Sequence, residues 1–317
     1  MADRAQFVWF DGKIVPWDDA KVHVSTATVL RGANIFEGVR AYWNDGEREL
    51  YIFRNADHMA RLWNSAKIMR MPIPWSADEL TQAEIDVIRA NKYQGTVWFR
   101  LTLYVGEEEH SSSPNAGKEP TGGFILPRLS PHGKSITEGA DSCISTWQRI
   151  SDVSVPPRVK SGANYHNSRF AWTEARLNGY NGSPVMLNER GKVSEGPGAC
   201  FMMIRGGRLV TPPITSNILE SITRTTVLEL ARDMLRIPVE EREVDRTELY
   251  IADEAFFCGS GAEITPVNSI DRYPIGSGRP GPLTRKLQEV YFSVAEGRVP
   301  EYRHWLTPVY KPVPART

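Results

Sequence analysis

The sequence predicts a mixed α/β protein of two domains, on three observations. The chain has 317 residues, beyond the size at which a single hydrophobic core usually keeps growing. Its first third opens on a β-hairpin signal and continues into two stretches of helical periodicity. Its second half alternates short β-rich runs with two further helical stretches, the pattern of a mixed sheet-and-helix domain.

In chain order, FVWFDGKIVPW has strand-forming residues on both sides of Asp11-Gly12, a dipeptide that accepts the positive φ angles of a tight turn. HMARLWNSAKIM (58–69) spaces Met59, Leu62, Trp63, Ala66 and Met69 along one helical face, and ADELTQAEIDVIRANKY does the same with Leu80, Ala83, Val87 and Ile88. TVWFRLTLYVG (96–106) is β-branched, aromatic and ended by Gly, as in a buried strand. Residues 107–123, EEEHSSSPNAGKEPTGG, turn polar and read as a long loop, a kind of segment that is often functional in a compact domain. GGFILP returns to a strand, and RLSPHGKS (128–135) reads as a linker. The expected division is a first domain over 1–127, an interdomain loop over 128–137 and a second domain over 138–317. Within the second domain SCISTWQRI, SPVMLNE, ACFMMIRGGRLVTP and EAFFCG read as β structure, with a hairpin signal at RGG (205–207). SRFAWTEARLNG and SITRTTVLELARDML read as helices. PIGSGRPGP (274–282) lacks the preceding strand and the lysine of a phosphate-binding loop, and reads as a turn before the last helix.

Composition excludes several functions. The 38 basic and 38 acidic residues balance and are interspersed, without the basic excess or stripe that a nucleic-acid backbone requires. Cys143, Cys200 and Cys258 are odd in number and far apart, without zinc spacing, so no metal site is expected and a reducing cytoplasm suits them. The opening MADRAQFVWFDGKIV carries charges where a signal peptide is apolar, and no segment approaches the roughly 20 apolar residues of a membrane span. A soluble cytoplasmic protein without membrane contact is the expectation. GxSxG, GxxxxGK[ST] and HExxH are all missing.

What remains is a series of dispersed stretches: VHVSTATVLRGANIFEGVRAY, HMARLWNSAKI, VKSGANYHNS, NERGKVSEGPGACFM, ITRTTVLELA and LYIADEAFFCGSGAEITPV. Together they resemble the class IV aminotransferases, which depend on pyridoxal 5′-phosphate, and within them the branched-chain amino acid aminotransferases. The likeness runs almost the full length and keeps order and spacing. It implies fold type IV, as in D-amino acid aminotransferase: a small α+β domain, an interdomain loop and a larger pseudo-barrel domain, with the cofactor between them in a homodimer or higher assembly. It implies as partners an amino acid and a 2-oxo acid.

A transaminase needs a lysine that holds the cofactor as an imine and, once displaced, carries a proton between the substrate carbon and the cofactor's C4′. Lys160, flanked by Val159, Ser161, Gly162 and Ala163, matches the family lysine; taken alone it reads as a solvated surface charge. Glu195 in VSEGPG matches the carboxylate that keeps the pyridine nitrogen protonated, against an exposed turn glutamate. Tyr165 is placed on the phenolic oxygen, or else is a core tyrosine. For the 5′-phosphate the resemblance supplies Arg61, the helix start at Ile222 and Thr223, and Ser260, with Leu219 also among the cofactor contacts. Read singly, Arg61 is a solvated helix charge and Thr223 an ordinary first-turn residue.

Substrate recognition is where the pattern departs. The likeness places Phe36, Gly38, Arg40, Gly261 and Ala262 around the substrate. Arg31 stands where relatives usually have a tyrosine before the glycine, and Trp98 stands where they have one two residues before Arg100. In the loop that relatives extend into the neighbouring subunit's pocket, His110 and Ser112 replace apolar lining, unless 107–113 is a solvated lid that never touches ligand. Buried polar groups without partners cost about 1 to 3 kcal/mol each, so this lining implies a polar or carboxylate-bearing substrate. Transamination of a D-amino acid or an (R)-amine is the alternative, and an aminodeoxychorismate lyase-like elimination fits FEGVR, SEGPG and GAEITPV less well. A non-catalytic cofactor-binding protein would be expected to have lost Lys160 or Glu195, and both are present.

Overall fold

The computed structural model describes residues 4–107 and 118–311. The chain divides into two compact units: one of residues up to 131 with 159–163 and the segment from 294 onward, the other of 132–158 and 164–293. The main crossing, between Pro131 and His132, lies within 128–137, and two further segments return to the first unit. The C-terminal segment belongs with the first unit because its strand Leu306–Pro308 pairs with Glu49–Phe53, and residues 159–163 belong there because Ser161 bridges Ile35.

The first unit is built on an antiparallel sheet. Its strands are β1 (Phe7–Phe10), β2 (Lys13–Pro16), β3 (Asn34–Asn44), β4 (Glu49–Phe53), β5 (Val97–Val105), β6 (Thr121–Leu129) and, after the second unit, β14 (Leu306–Pro308), in the order β14-β4-β3-β5-β6-β1-β2. The Asp11-Gly12 hairpin is present, with φ of 44° and 91° at its two turn residues. A short helix α1 (Ala27–Arg31) leads into β3. Helices α2 (Asn55–Met69) and α3 (Ala77–Ala90) follow β4, and α3 starts on a reciprocal Ser76–Glu79 capping box. On one face of the sheet Ile35, Val39, Phe99 and Leu101 are fully buried in a cluster with Leu62 of α2 and Leu80 and Ile88 of α3. Strand β6 is longer than GGFILP and takes in both the end of the polar stretch and the start of the expected linker. His110 and Ser112 lie outside the described residues.

The second unit has α4 (Ser135–Glu138), β7 (Ala140–Ser142), α5 (Asn164–Leu177), β8 (Cys200–Arg205), β9 (Arg208–Thr211), α6 (Ile222–Asp233), β10 (Val239–Glu241), β11 (Glu254–Gly259), β12 (Glu263–Ile270), β13 (Tyr273–Pro274) and α7 (Pro282–Ala295). Its sheet runs β10-β9-β8-β11-β12-β13, with β7 parallel to β12. The Arg205–Arg208 hairpin turns through Gly206 and Gly207, both at positive φ, as the RGG signal requires. SCISTWQRI beyond Ser142, and all of SPVMLNE, do not form the strands expected and make isolated bridges such as Ile144 to Val185. A physical cause is visible at Thr146, whose N–H goes to the Glu174 carboxylate of α5 (3.0 Å) instead of to a neighbouring strand. Mixed α/β content in two sheets agrees with the fold class. Among the described residues no helix is long and apolar enough to cross a membrane.

Candidate active site

In the first unit Lys160 sits on a strap, residues 159–163, laid along β3. The Phe36 N–H donates to the Lys160 carbonyl (2.8 Å), and the Gly162 N–H reaches Asn34 Oδ1 (3.2 Å). The Lys160 N–H points to Ser65 Oγ on α2 (3.4 Å), and Val159 anchors the strap in the core at 1% exposure. A Cβ on Gly162 would lie 2.5 Å from Asn34 Oδ1, so a side chain there would turn the Asn34 amide away and cost the strap its bond to Oδ1. With its backbone held at these points, Lys160 is only partly exposed and its Nζ lies 5.0 Å from the Phe36 ring centroid. It is therefore not the freely solvated lysine that its flanks alone describe.

Arg61 of α2 is likewise committed. Glu37, alone among carboxylates on the apolar face of β3, takes the Arg61 Nε (2.8 Å) and NH2 (2.6 Å) edge and also bonds His58 Nδ1 (2.7 Å). Burial works to raise the Glu37 carboxyl, but the Arg61 charge and hydrogen bonds, with His58, hold it down to about 2. Burial pushes His58 below its usual value against the pull of Glu37. A planar guanidinium gripped along one edge has its remaining direction fixed, which orients Arg61 as no solvated helix charge would be.

The opposite face of the sheet collects the substrate candidates. Alternation puts Phe36, Gly38 and Arg40 on one face of β3, and the register sets them against Thr102, Arg100 and Trp98 of β5. The Arg100 guanidinium lies 3.5 Å from the Phe36 ring centroid, with Nε on Thr102 Oγ1 (3.1 Å). A Cβ on Gly38 would meet the Trp98 ring at 3.2 Å, so the glycine makes room for the indole. Arg40 is buried and donates to the Ser130 carbonyl (2.8 Å), which is the contact of a strut. Arg31 is exposed at the end of α1.

In the second unit Glu195 is 3% exposed, so the reading as an exposed turn glutamate fails. Its Oε1 accepts from Arg149 Nε (2.9 Å) and NH2 (2.8 Å) and from the Leu219 N–H (3.0 Å), while Cys200 Sγ lies 3.5 Å from Oε2. Burial, then the Glu195 charge, pushes the Cys200 thiol well up, so it keeps its proton. Three residues after Leu219, α6 begins. Its cap Ser221 accepts from the Arg224 N–H (3.2 Å), and Ser221 O takes the Thr225 N–H (3.0 Å). Among the described residues the N–H groups of Ile222 and Thr223 have no partner, although both residues are buried. Tyr165 stands half-buried in the first turn of α5, while Ser260, Gly261 and Ala262 form the β11–β12 turn.

These donors fit pyridoxal 5′-phosphate. Two orphaned N–H groups at a helix start, beside the Thr223 hydroxyl, suit a phosphate dianion, and a buried, anchored carboxylate suits a protonated ring nitrogen. Lys160 and Arg61 lie in the first unit, Glu195 and the start of α6 in the second. Sequence reasoning did not single out Glu37, His58, Ser65, Asn34, Arg149 or Cys200. The one available signal was Glu37, a charge at an apolar position of an otherwise alternating strand.

A partly exposed lysine, a buried and anchored carboxylate and a helix start with unpartnered N–H groups are the chemistry that an enzyme of the pyridoxal-phosphate type requires. The model of the family "Amino-transferase class IV" matches residues 34–270. A probable branched-chain-amino-acid aminotransferase of Aquifex aeolicus is 39% identical over 305 residues, 96% of this chain and 97% of that protein. The crystal structure of the branched-chain amino acid aminotransferase from Thermobaculum terrenum in its PLP form superposes with a TM-score of 0.90 at 45% identity, covering 97% of this chain and 99% of that one. The branched-chain aminotransferase of the thermophilic archaeon Thermoproteus uzoniensis, crystallised with norvaline, gives 0.89 at 40% identity, with 96% of this chain and 100% of that one covered. The chain belongs to the class IV aminotransferases. It is a pyridoxal-phosphate-dependent transaminase, moving an amino group between an amino acid and a 2-oxo acid.

Proposed function

We propose that Lys160 is the residue that attaches the cofactor and shuttles the proton. The observation that carries this is the strap, which holds the Lys160 backbone to β3 and α2 while its Nζ stands beside Phe36. When bound, pyridoxal 5′-phosphate supplies an electron sink for the pair left on the substrate's α-carbon. Lys160 Nζ would then be the base that takes the substrate's α-proton and holds it for return in the same transfer. Glu195 would hold the ring nitrogen, and the Tyr165 hydroxyl would serve the phenolic oxygen. Arg61, Ile222 N, Thr223 and Ser260 hold the phosphate, with Leu219 fixing the Glu195 carboxylate at the ring end.

For the substrate, the face of Phe36, Gly38, Trp98 and Arg100 supports a pocket with apolar walls and one arginine suited to a carboxylate, and the family resemblance would add Arg31 as a second charge. The reading is a polar or carboxylate-bearing side chain. The second reading, branched-chain amino acids, is favoured by the names of the relatives and by the Phe36 and Trp98 walls. A homodimer in the cytoplasm is the proposed setting; exposed Val24, Val29 and Leu30, clustered beside Arg31, support an assembly that covers them.

One set of half-reactions tests both proposals. Borohydride reduction of the parent followed by peptide mapping is expected to label Lys160, and Lys160→Ala is expected to lose the label and all transamination; a label on another lysine refutes the assignment. Paired L- and D-amino acids and a chiral amine, followed through the cofactor's visible band, are expected to rank acidic and polar L-donors above valine. Preference for valine, leucine and isoleucine overturns the pocket reading and leaves the transaminase intact.

A further inference from the structure

The donors around Glu195 are unevenly shared between its two oxygens, and this has a chemical consequence. Oε1 receives Arg149 Nε (2.9 Å), Arg149 NH2 (2.8 Å) and the Leu219 N–H (3.0 Å). Among the described residues Oε2 meets only the Cys200 thiol, at 3.5 Å, and that sulfur is also 3.8 Å from the Leu219 carbonyl. A thiol is a weak donor and occupies one lone pair at most, whereas a carboxylate oxygen has two.

We propose that Arg149 is a positioning residue for transamination, gripping Glu195 by Oε1 so that Oε2 is the oxygen that receives the proton-bearing pyridine nitrogen. The proposal rests on the reading of Glu195 as the ring-nitrogen partner. Both side chains are nearly inaccessible, 5% for Arg149 and 4% for Glu195, so the pair acts in a medium of low dielectric. There a guanidinium on Oε1 stabilises the carboxylate charge and fixes its plane, and the proton stays on the nitrogen facing Oε2. Without Arg149 the carboxyl would either turn or take that proton itself, and both routes leave the nitrogen unprotonated. Arg149 itself is held by its own backbone, its N–H donating to the Leu187 carbonyl (2.8 Å).

The test is the ¹⁵N resonance of the pyridine nitrogen in holoenzyme loaded with ¹⁵N-labelled pyridoxal 5′-phosphate, together with the cofactor dissociation constant. Arg149→Met is expected to move the resonance toward the unprotonated position and to weaken cofactor binding about 10- to 100-fold, the scale of lost charged hydrogen bonds. Arg149→Lys keeps the charge without the two-point grip and is expected in between, which keeps the test usable if the methionine variant fails to fold. Cys200→Ala disturbs the packing beside Glu195 without touching Arg149, and is expected to stay at the parental resonance. Parental resonance and affinity in Arg149→Lys and in any Arg149→Met that folds overturn the proposal, as does a Cys200→Ala shift as large as theirs. Glu195→Gln separates the two levels: if it leaves the resonance unmoved, the assignment of Glu195 itself fails.

Discussion

Glu37 shows how much a single carboxylate can govern. It lies on the core face of β3 at 1% exposure, yet its pKa is held near 2 by Arg61 and His58 against the cost of burial. A carboxyl depressed from 4.5 to about 2 contributes stability that is fully present above its unfolded value and lost as pH falls through 2, worth on the order of 3 kcal/mol. Glu37→Gln is therefore expected to lower the urea midpoint at pH 7 and to flatten its dependence on pH between about 4.5 and 2; an unchanged acid limb would refute the pairing. Glu84 of α3 is the opposite case. Fully buried, it is pushed well above the usual carboxylate range by burial, opposed only by Asn55. Among the described residues both Glu84 oxygens and Asn55 Oδ1 are buried without a hydrogen-bond partner, while Asn55 Nδ2 donates to Thr81 Oγ1 (3.1 Å).

At the scale of elements, the strap 159–163 depends on glycine for contact and not for φ. Gly162→Ala would set a Cβ 2.5 Å from Asn34 Oδ1, and the Asn34 amide has to turn away, giving up its bond to the residue-162 N–H. The expected result is a loss of about 1 to 3 kcal/mol in stability and a fall in the fraction of cofactor that borohydride fixes, measured by urea unfolding and peptide mapping. Retention of both would mean that the strap does not depend on that bond. How far such elements are legible varies with locality. The Asp11-Gly12 and RGG hairpins, α2, α3 and α6 are written in short-range signals, and each is where the sequence placed it. Strand β3, eleven residues long and the carrier of Phe36, Glu37, Gly38 and Arg40, is not legible as a strand. Glu37 interrupts its apolar face and Gly38 weakens its strand propensity, and only pairing with β4 and β5 makes them tolerable. SCISTWQRI fails in the other direction: its composition favours a strand, but Glu174 takes the N–H of Thr146.

For the whole chain, the first unit is completed by its last described residues. Buried Glu49 accepts the N–H groups of Leu50 (2.8 Å), Val309 (3.1 Å), Tyr310 (2.8 Å) and Lys311 (2.7 Å), so one carboxylate clasps the incoming segment. Glu49→Ala leaves buried donors unsatisfied and is expected to cost about 3 kcal/mol or more, read as a lowered denaturation midpoint; a loss below about 1 kcal/mol would show that water replaces the clasp. The sequence could not announce this, since Glu49 and Tyr310 are 261 positions apart.

By itself the sequence supplied, through the family resemblance, the candidates Arg61, Lys160, Tyr165, Glu195 and the helix start at Ile222, and it determined most of the local elements, because propensity and turn chemistry act over a few residues. Only the tertiary structure decided which charges hold which. Glu37 meets Arg61 across 24 positions, Arg149 meets Glu195 across 46, and Lys160 is laid on β3 more than a hundred residues upstream. These pairings follow from strand register and helix packing, and in a buried, weakly screened setting they decide whether a side chain is a solvated charge or a reagent.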